Sequence, residues 1–197
     1  MNMGMGKKIL IIQGNPNPGS YCSALAKAYF NGAIQGGAEA RFIQLHELTF
    51  NPNLAFGYAK RTELEKDLLE AQEAIKWAEH LVFVYPTWWG TLPALLKGFL
   101  DRVLLPGFAF KYREGSVLWD KLLKGKTARL IVTMDAPVWY NRFIIGQPGH
   151  RAMKIATLQF CGIKPVRITN IGPVKSSTDS RRSEWLNLVT KLGNKGS

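Results

Sequence analysis

The chain is poor in several things. Only two of its 197 residues are cysteine, Cys22 and Cys161. Two cysteines build neither a disulfide framework nor a cysteine zinc site, and they fit a reducing, cytoplasmic setting. The three histidines, His46, His80 and His150, stand far apart without metal-ligand spacing, so no metal is expected. No apolar run approaches the ~20 residues of a membrane helix. The run Ile9-Leu10-Ile11-Ile12 behind Lys7 and Lys8 is too short for a signal peptide and leads into a turn. Repeats and low-complexity tracts are absent, as are a Walker loop, a GxGxxG fingerprint, a helix-turn-helix and an RNP pattern. Nucleic acid is therefore not an expected partner, although the pI is about 9.9.

Acidic residues are scarce too, 14 against 26 Lys and Arg, for a net charge of +12. The imbalance is uneven: 16 basic and 5 acidic residues lie from 111 onward, and 10 and 9 before that point. A basic second half suggests an anionic or phosphorylated partner. With 46% hydrophobic residues the length suffices for one domain with a substantial core. A single domain over 1–197 is expected, with 1–6 flexible.

Short β-rich apolar runs alternate with helical patterns. Residues 8–13, 40–45, 81–85, 129–134 and 166–171 read as strands, several without polar alternation, as in strands buried on both faces. Residues 20–36 read as a helix capped by Ser20 and ended by Gly36-Gly37. Residues 62–79 carry an amphipathic pattern through Leu64, Leu68, Ala71, Ile75 and Ala78. Residues 92–104, 148–161 and a final stretch around Trp185, Leu188, Val189 and Leu192 complete the helices, and 105–125 reads as an excursion. Five strands with helical crossovers make a parallel α/β sheet covered on both faces. The 92–104 helix is apolar nearly all round, and the sheet covers only one side of it, which predicts a subunit contact on the other.

In such a sheet, ligands bind beyond the carboxyl ends of the strands. The turn after the first strand, Gly14-Asn15-Pro16-Asn17-Pro18-Gly19-Ser20-Tyr21-Cys22-Ser23, runs into a helix start. Free N–H groups and a partial positive charge there suit phosphate, and Ser20 and Ser23 add hydroxyls. The turn after the third strand, Tyr85-Pro86-Thr87-Trp88-Trp89-Gly90, holds two adjacent indoles that cannot both enter one core face. They suit the wall of a planar ligand, with the Gly90 backbone able to approach its ring. The turn after the fourth strand, Thr133-Met134-Asp135-Ala136, is followed by Tyr140 and His150, candidate donors near an acceptor.

These stretches together resemble the flavodoxin-like NAD(P)H:quinone oxidoreductases, a family that includes ancillary oxidoreductases of potassium efflux systems. The likeness is carried by residues 81–103, with Pro86, Trp88-Trp89-Gly90, Pro93-Ala94, Leu96-Lys97-Gly98-Phe99 and Asp101-Arg102-Val103. Pro106-Gly107-Phe108-Ala109-Phe110 and the first loop add to it. The resemblance implies a three-layer flavodoxin-like fold with strand order 2-1-3-4-5. It implies FMN, or alternatively FAD, bound at the three turns, and ping-pong hydride transfer from NAD(P)H to a quinone-like acceptor. A homodimer with the site at the subunit interface is implied as well. Carried over, Asn15, Asn17, Ser20, Tyr21, Cys22 and Ser23 hold the flavin phosphate. Pro86, Thr87, Trp88, Trp89 and Gly90 hold the ring, Thr133, Met134, Asp135 and Ala136 form a third wall, and Tyr140 and His150 are the catalytic candidates. The family's best-known branch has Thr-Thr-Gly-Gly where this chain has Thr133-Met134-Asp135-Ala136, so the edge of the ring meets a carboxylate here. An alternative is a flavin-binding regulatory subunit, peripherally associated with a transporter, with weak reductase activity.

Overall fold

A computed structural model describes residues 6–57, 59–60 and 62–197. All but Gly6 of the segment expected to be flexible lies outside the described residues. Five parallel strands form the central sheet: β1 (Lys8–Gln13), β2 (Glu39–Gln44), β3 (His80–Pro86), β6 (Thr127–Thr133) and β7 (Val166–Ile171). Their order is β2-β1-β3-β6-β7. This is the expected 2-1-3-4-5 order, with two further strands inserted between the third and fourth. Those two, β4 (Phe110–Tyr112) and β5 (Trp119–Lys121), pair antiparallel in the excursion after the third strand.

The core strands are buried because both faces are covered. Ile9, Ile11, Val82, Val84 and Ile131 face α1 (Tyr21–Gln35) and α6 (Asp179–Asn194). Leu10, Ile12, Leu81, Phe83 and Leu130 face α2 (Lys66–Trp77), α3 (Ala94–Val103) and the segment after residue 147. That segment is α5 (Pro148–Arg151) continued by a π-helix (Ala152–Gln159). The wider coil brings the Thr157 hydroxyl onto the Ala152 carbonyl at 3.0 Å.

One helix boundary differs from the sequence reading for a non-local reason. Arg102 of α3, 1% exposed, donates to Glu65 Oε2 at 2.7 Å and to the carbonyls of Glu63 (2.9 Å) and Asn51. Residues 62–65 are drawn out extended onto this guanidinium, so α2 starts at Lys66 and not at Thr62. The same clasp lays the 48–65 loop over α3. Phe50 meets Phe99 edge-on at 6.2 Å, and a Cβ on Gly98 would fall 2.5 Å from Pro52 Cβ. The second apolar side of α3 is thus covered within the chain, which corrects the premise that a subunit must cover it.

His80 opens β3 at the end of the sheet opposite the loops. Its Nδ1 lies 2.6 Å from Thr127 Oγ1. Burial first, and then the charges of Lys7, Arg129 and Arg167, push its pKa from 6.5 down to about 3. The unfolded chain takes up a proton near pH 6.5 and the folded one only near 3. Stability is therefore complete above the upper value and is lost progressively as pH falls through the interval. Thermal melts between pH 8 and 5 are expected to show this loss, and His80→Asn to flatten the slope between pH 6.5 and 5. An unchanged slope in that variant would contradict the assignment.

Candidate functional site at the carboxyl edge of the sheet

Three turns meet where the strands end. The first, residues 14–20, is folded by two successive Asx turns: Asn15 Oδ1 accepts Asn17 N–H and Asn17 Oδ1 accepts Gly19 N–H, both at 2.9 Å. Ser20 caps α1, its Oγ accepting from Ser23 N–H at 3.3 Å. The first turn of α1 holds no acidic residue. Among the described residues, the Tyr21 and Cys22 N–H groups make no hydrogen bond to the protein. Unpaired donors and an uncompensated helix terminus make this an anion-ready corner.

The second turn carries the strain of the site. Trp88 N–H donates to Thr91 O (3.1 Å) and Thr91 N–H to Trp88 O (2.9 Å). Between them Trp89 (φ 49°) and Gly90 (φ 74°) both take left-handed backbone, giving a type I′ turn. A tryptophan in that conformation is uncommon and costs on the order of 1 kcal/mol or more. Its indole is nonetheless fully exposed, so no packing compensates the strain. Behind the turn, Gly149 N–H donates to Gly90 O at 3.0 Å, fixing α5 to it.

The third turn follows β6 and is tied to both others. Thr133 O accepts Thr87 N–H at 2.7 Å, and Thr133 Oγ1 lies 3.2 Å from Cys22 Sγ. Burial raises the Cys22 pKa, opposed by hydrogen bonds from Thr133 and Asn15, so the thiol stays protonated. Asp135 Oδ1 accepts Lys175 N–H at 2.9 Å, and Met134 O accepts Val174 N–H at 3.0 Å. The carboxylate that departs from the family pattern therefore clips this turn to the one after β7.

The three turns enclose an open trough of about 180 Å³, lined by Asn15, Tyr21, Cys22, Pro86, Thr87, Trp88, Thr133, Met134, Asp135 and Val174. Nine of these ten were singled out from sequence. Val174 was not, and nothing local marks it. Asn17, Ser20, Trp89, Gly90 and Ala136 stand in the same turns without lining the trough. Ser23 is turned inward, its hydroxyl 3.1 Å from the Gln13 amide nitrogen, and Tyr21 donates its phenol to Arg182 O at 2.7 Å. Those two side chains are committed to the fold, so an anion at the first turn is left to backbone N–H groups and the Ser20 hydroxyl. Gln13, fully buried and also donating to Asn15 O at 2.9 Å, is a brace that sequence reasoning missed.

Neither Tyr140 nor His150 lines the trough. Residues 138–143, to which no helix was assigned from sequence, form the short helix α4 (Val138–Phe143) after the third turn. Tyr140 is partly exposed there, edge-on to Trp139 at 5.9 Å. His150 is buried, its Nε2 2.6 Å from Asn170 Oδ1 on β7. It anchors α5 to the sheet.

Among the described residues, no group of three or more His, Cys, Asp or Glu gathers that could hold a metal, and no helix is long and apolar enough to cross a membrane. A family model described as "Flavodoxin-like fold" matches residues 7–189. A relative from Haemophilus influenzae, named an uncharacterized NAD(P)H oxidoreductase, is 29% identical, with 92% of each chain covered. The rat protein named ribosyldihydronicotinamide dehydrogenase [quinone] is 26% identical over 95% of this chain and 91% of its own length. Among solved structures, Smu.1420 of Streptococcus mutans UA159 superposes with a TM-score of 0.84 at 30% identity, covering 95% of this chain and 98% of that one.

Proposed function

Because the chain belongs to the flavodoxin-like fold family, we propose that it is a flavin-dependent oxidoreductase that moves hydride from a nicotinamide nucleotide to a quinone-like acceptor. One observation carries the reading: an anion-ready helix start and the strand end Pro86 to Trp88, which leads into the aromatic left-handed turn, line the same trough. The donor set fits a flavin. Tyr21 and Cys22 N–H with the Ser20 hydroxyl would hold its phosphate. Pro86 to Gly90 would hold one side of the ring and Thr133 to Ala136 its edge, with the Trp89, Gly90, Asp135 and Ala136 N–H groups, which donate to no protein atom among the described residues, available to negative charge. A flavin bound there supplies a ring that takes hydride from one flat molecule and gives it to the next, a ping-pong sequence. The names of the relatives support the same chemistry. The protein's own part is to orient, to exclude water and to present donors where charge develops.

A second copy of the chain completes the site in this proposal. The trough is smaller than the ~300–1,000 Å³ of ordinary small-molecule sites. The second turn and the segment 138–145 that follows the third carry Trp89, Trp139, Phe143, Ile144 and Ile145, all exposed, an apolar rim for a second copy to cover. Sedimentation at micromolar concentration is expected to give a dimer, and Phe143→Glu with Ile144→Glu to give a monomer with weakened flavin binding. A wild-type monomer would refute this.

Tyr140, on that rim, is assigned to the acceptor. A phenol there donates to a carbonyl oxygen gaining negative charge, an interaction stronger in the transition state than in the ground state. Tyr140→Phe should keep its flavin and its rate of reduction by nucleotide, and slow reoxidation by quinone by roughly tenfold. Stopped-flow measurement separates the two half-reactions. Equal reoxidation rates would make the residue a packing group.

A further inference from the structure

A second groove, of about 610 Å³, lies between β2 and α2, apart from the trough. One wall is the last strand of the sheet. Among the described residues, no strand pairs with the outer side of β2. Such an edge offers unpaired N–H and C=O groups to any extended chain, and proteins usually guard it with lysine, proline or a bulge. β2 carries neither lysine nor proline. Its single cation, Arg41, is drawn back over the Trp77 ring at 4.1 Å.

The other wall is acidic. Glu47, Asp67, Glu70 and Glu73 line the groove against Arg41 alone, in a protein of net charge +12. Asp67 is occupied by Thr49 N–H at 2.7 Å. Glu70 and Glu73 meet only the surface lysines Lys66 (3.6 Å) and Lys76 (2.7 Å), pairs held weakly enough to exchange for another cation. Leu69, half exposed in the same groove, is an apolar anchor point. None of these residues takes part in the trough.

We propose that this groove binds an extended basic segment of a partner protein, added to the sheet as a strand on β2. Its lysines or arginines lie against Glu47, Glu70 and Glu73, and an apolar side chain rests on Leu69. Backbone pairing gives such a complex its affinity, and the side-chain contacts its selectivity. A second copy of this chain is the poorer occupant: β2 against β2 brings two acidic walls together, and like charges across an interface are costly.

The test uses the full chain and a labelled peptide of about eight residues, matched to a strand of this size, with lysines and one valine at alternate positions and threonines between them. Its counterpart with glutamate for lysine is the control. Fluorescence anisotropy is expected to show binding of the lysine peptide only. Hydrogen exchange is expected to slow at amides within residues 39–44 when it binds. Glu70→Lys with Glu73→Lys should weaken binding by roughly tenfold and leave flavin content unchanged. No binding would overturn the proposal, and so would binding without protection at 39–44. Protection that rises with protein concentration in the absence of peptide would assign the edge to a second copy instead.

Discussion

Gly90→Val will lose its flavin. Position 90 has φ 74° and follows Trp89 at φ 49°, so the turn already holds one non-glycine residue in left-handed backbone. A β-branched residue beside it adds roughly 1–3 kcal/mol of strain. A Cβ at 90 would lie 3.5 Å from Pro148 Cγ and 3.9 Å from Ile145 Cγ2, which is ordinary contact. A β-branched residue also adopts this left-handed backbone poorly, so the turn opens. The substitution therefore acts by shifting the wall, not by filling the trough itself. The Gly149 N–H to Gly90 O bond goes with it. A weakening of flavin affinity by about 100-fold follows from these combined costs. Gly90→Ala, with the backbone strain but no γ-methyls, should lose about tenfold. Flavin fluorescence titration measures both. A stoichiometrically yellow Gly90→Val protein would show that this turn does not hold the ring.

Arg102→Met is expected to give the largest loss of stability. The guanidinium is buried, ion-paired with Glu65 at 2.7 Å and bonded to two backbone carbonyls of the 48–65 loop. Removing it strands those acceptors and releases the loop from α3. Breaking a buried pair costs about 3–5 kcal/mol, and Glu65, a third exposed, recovers part of that through water. A fall in Tm of about 5–15 °C is expected for a chain of this length. Limited proteolysis should then cut between residues 49 and 65. Flavin content should hold, because this loop does not line the trough. A Tm change under about 2 °C would mean that the clasp is ornamental.

What the sequence made legible follows the range of the forces involved. β1 and β7 fall at their expected bounds because each is a short apolar run closed by turn residues. α1 does so because Ser20 and Gly36 cap it locally. The start of α2 was misplaced because a side chain 37 positions on, Arg102, pulls Glu65 out of the helix. The β4–β5 ribbon was not resolved because its support is distant: Trp119 stacks on Phe160 at 4.4 Å and donates to its carbonyl at 2.9 Å. The trough was legible because three strand ends in a parallel sheet must converge and their turns carry unusual residues. Its inner bracing was not. Nothing near Gln13 announces its bond to Ser23, and nothing near His150 announces Asn170.

The trough is proposed to hold a flavin that nicotinamide nucleotide reduces. This is tested most directly on the purified protein. After reconstitution with excess FMN or FAD and removal of the unbound fraction, the flavin is released by heat, identified by mass and quantified per chain. In a parallel anaerobic sample, the bound chromophore is titrated with NADH and with NADPH. Close to one flavin per chain is expected, with full bleaching of its visible absorbance by at least one of the two nucleotides. A chain that retains no flavin, or one whose flavin neither nucleotide bleaches, would contradict the proposal.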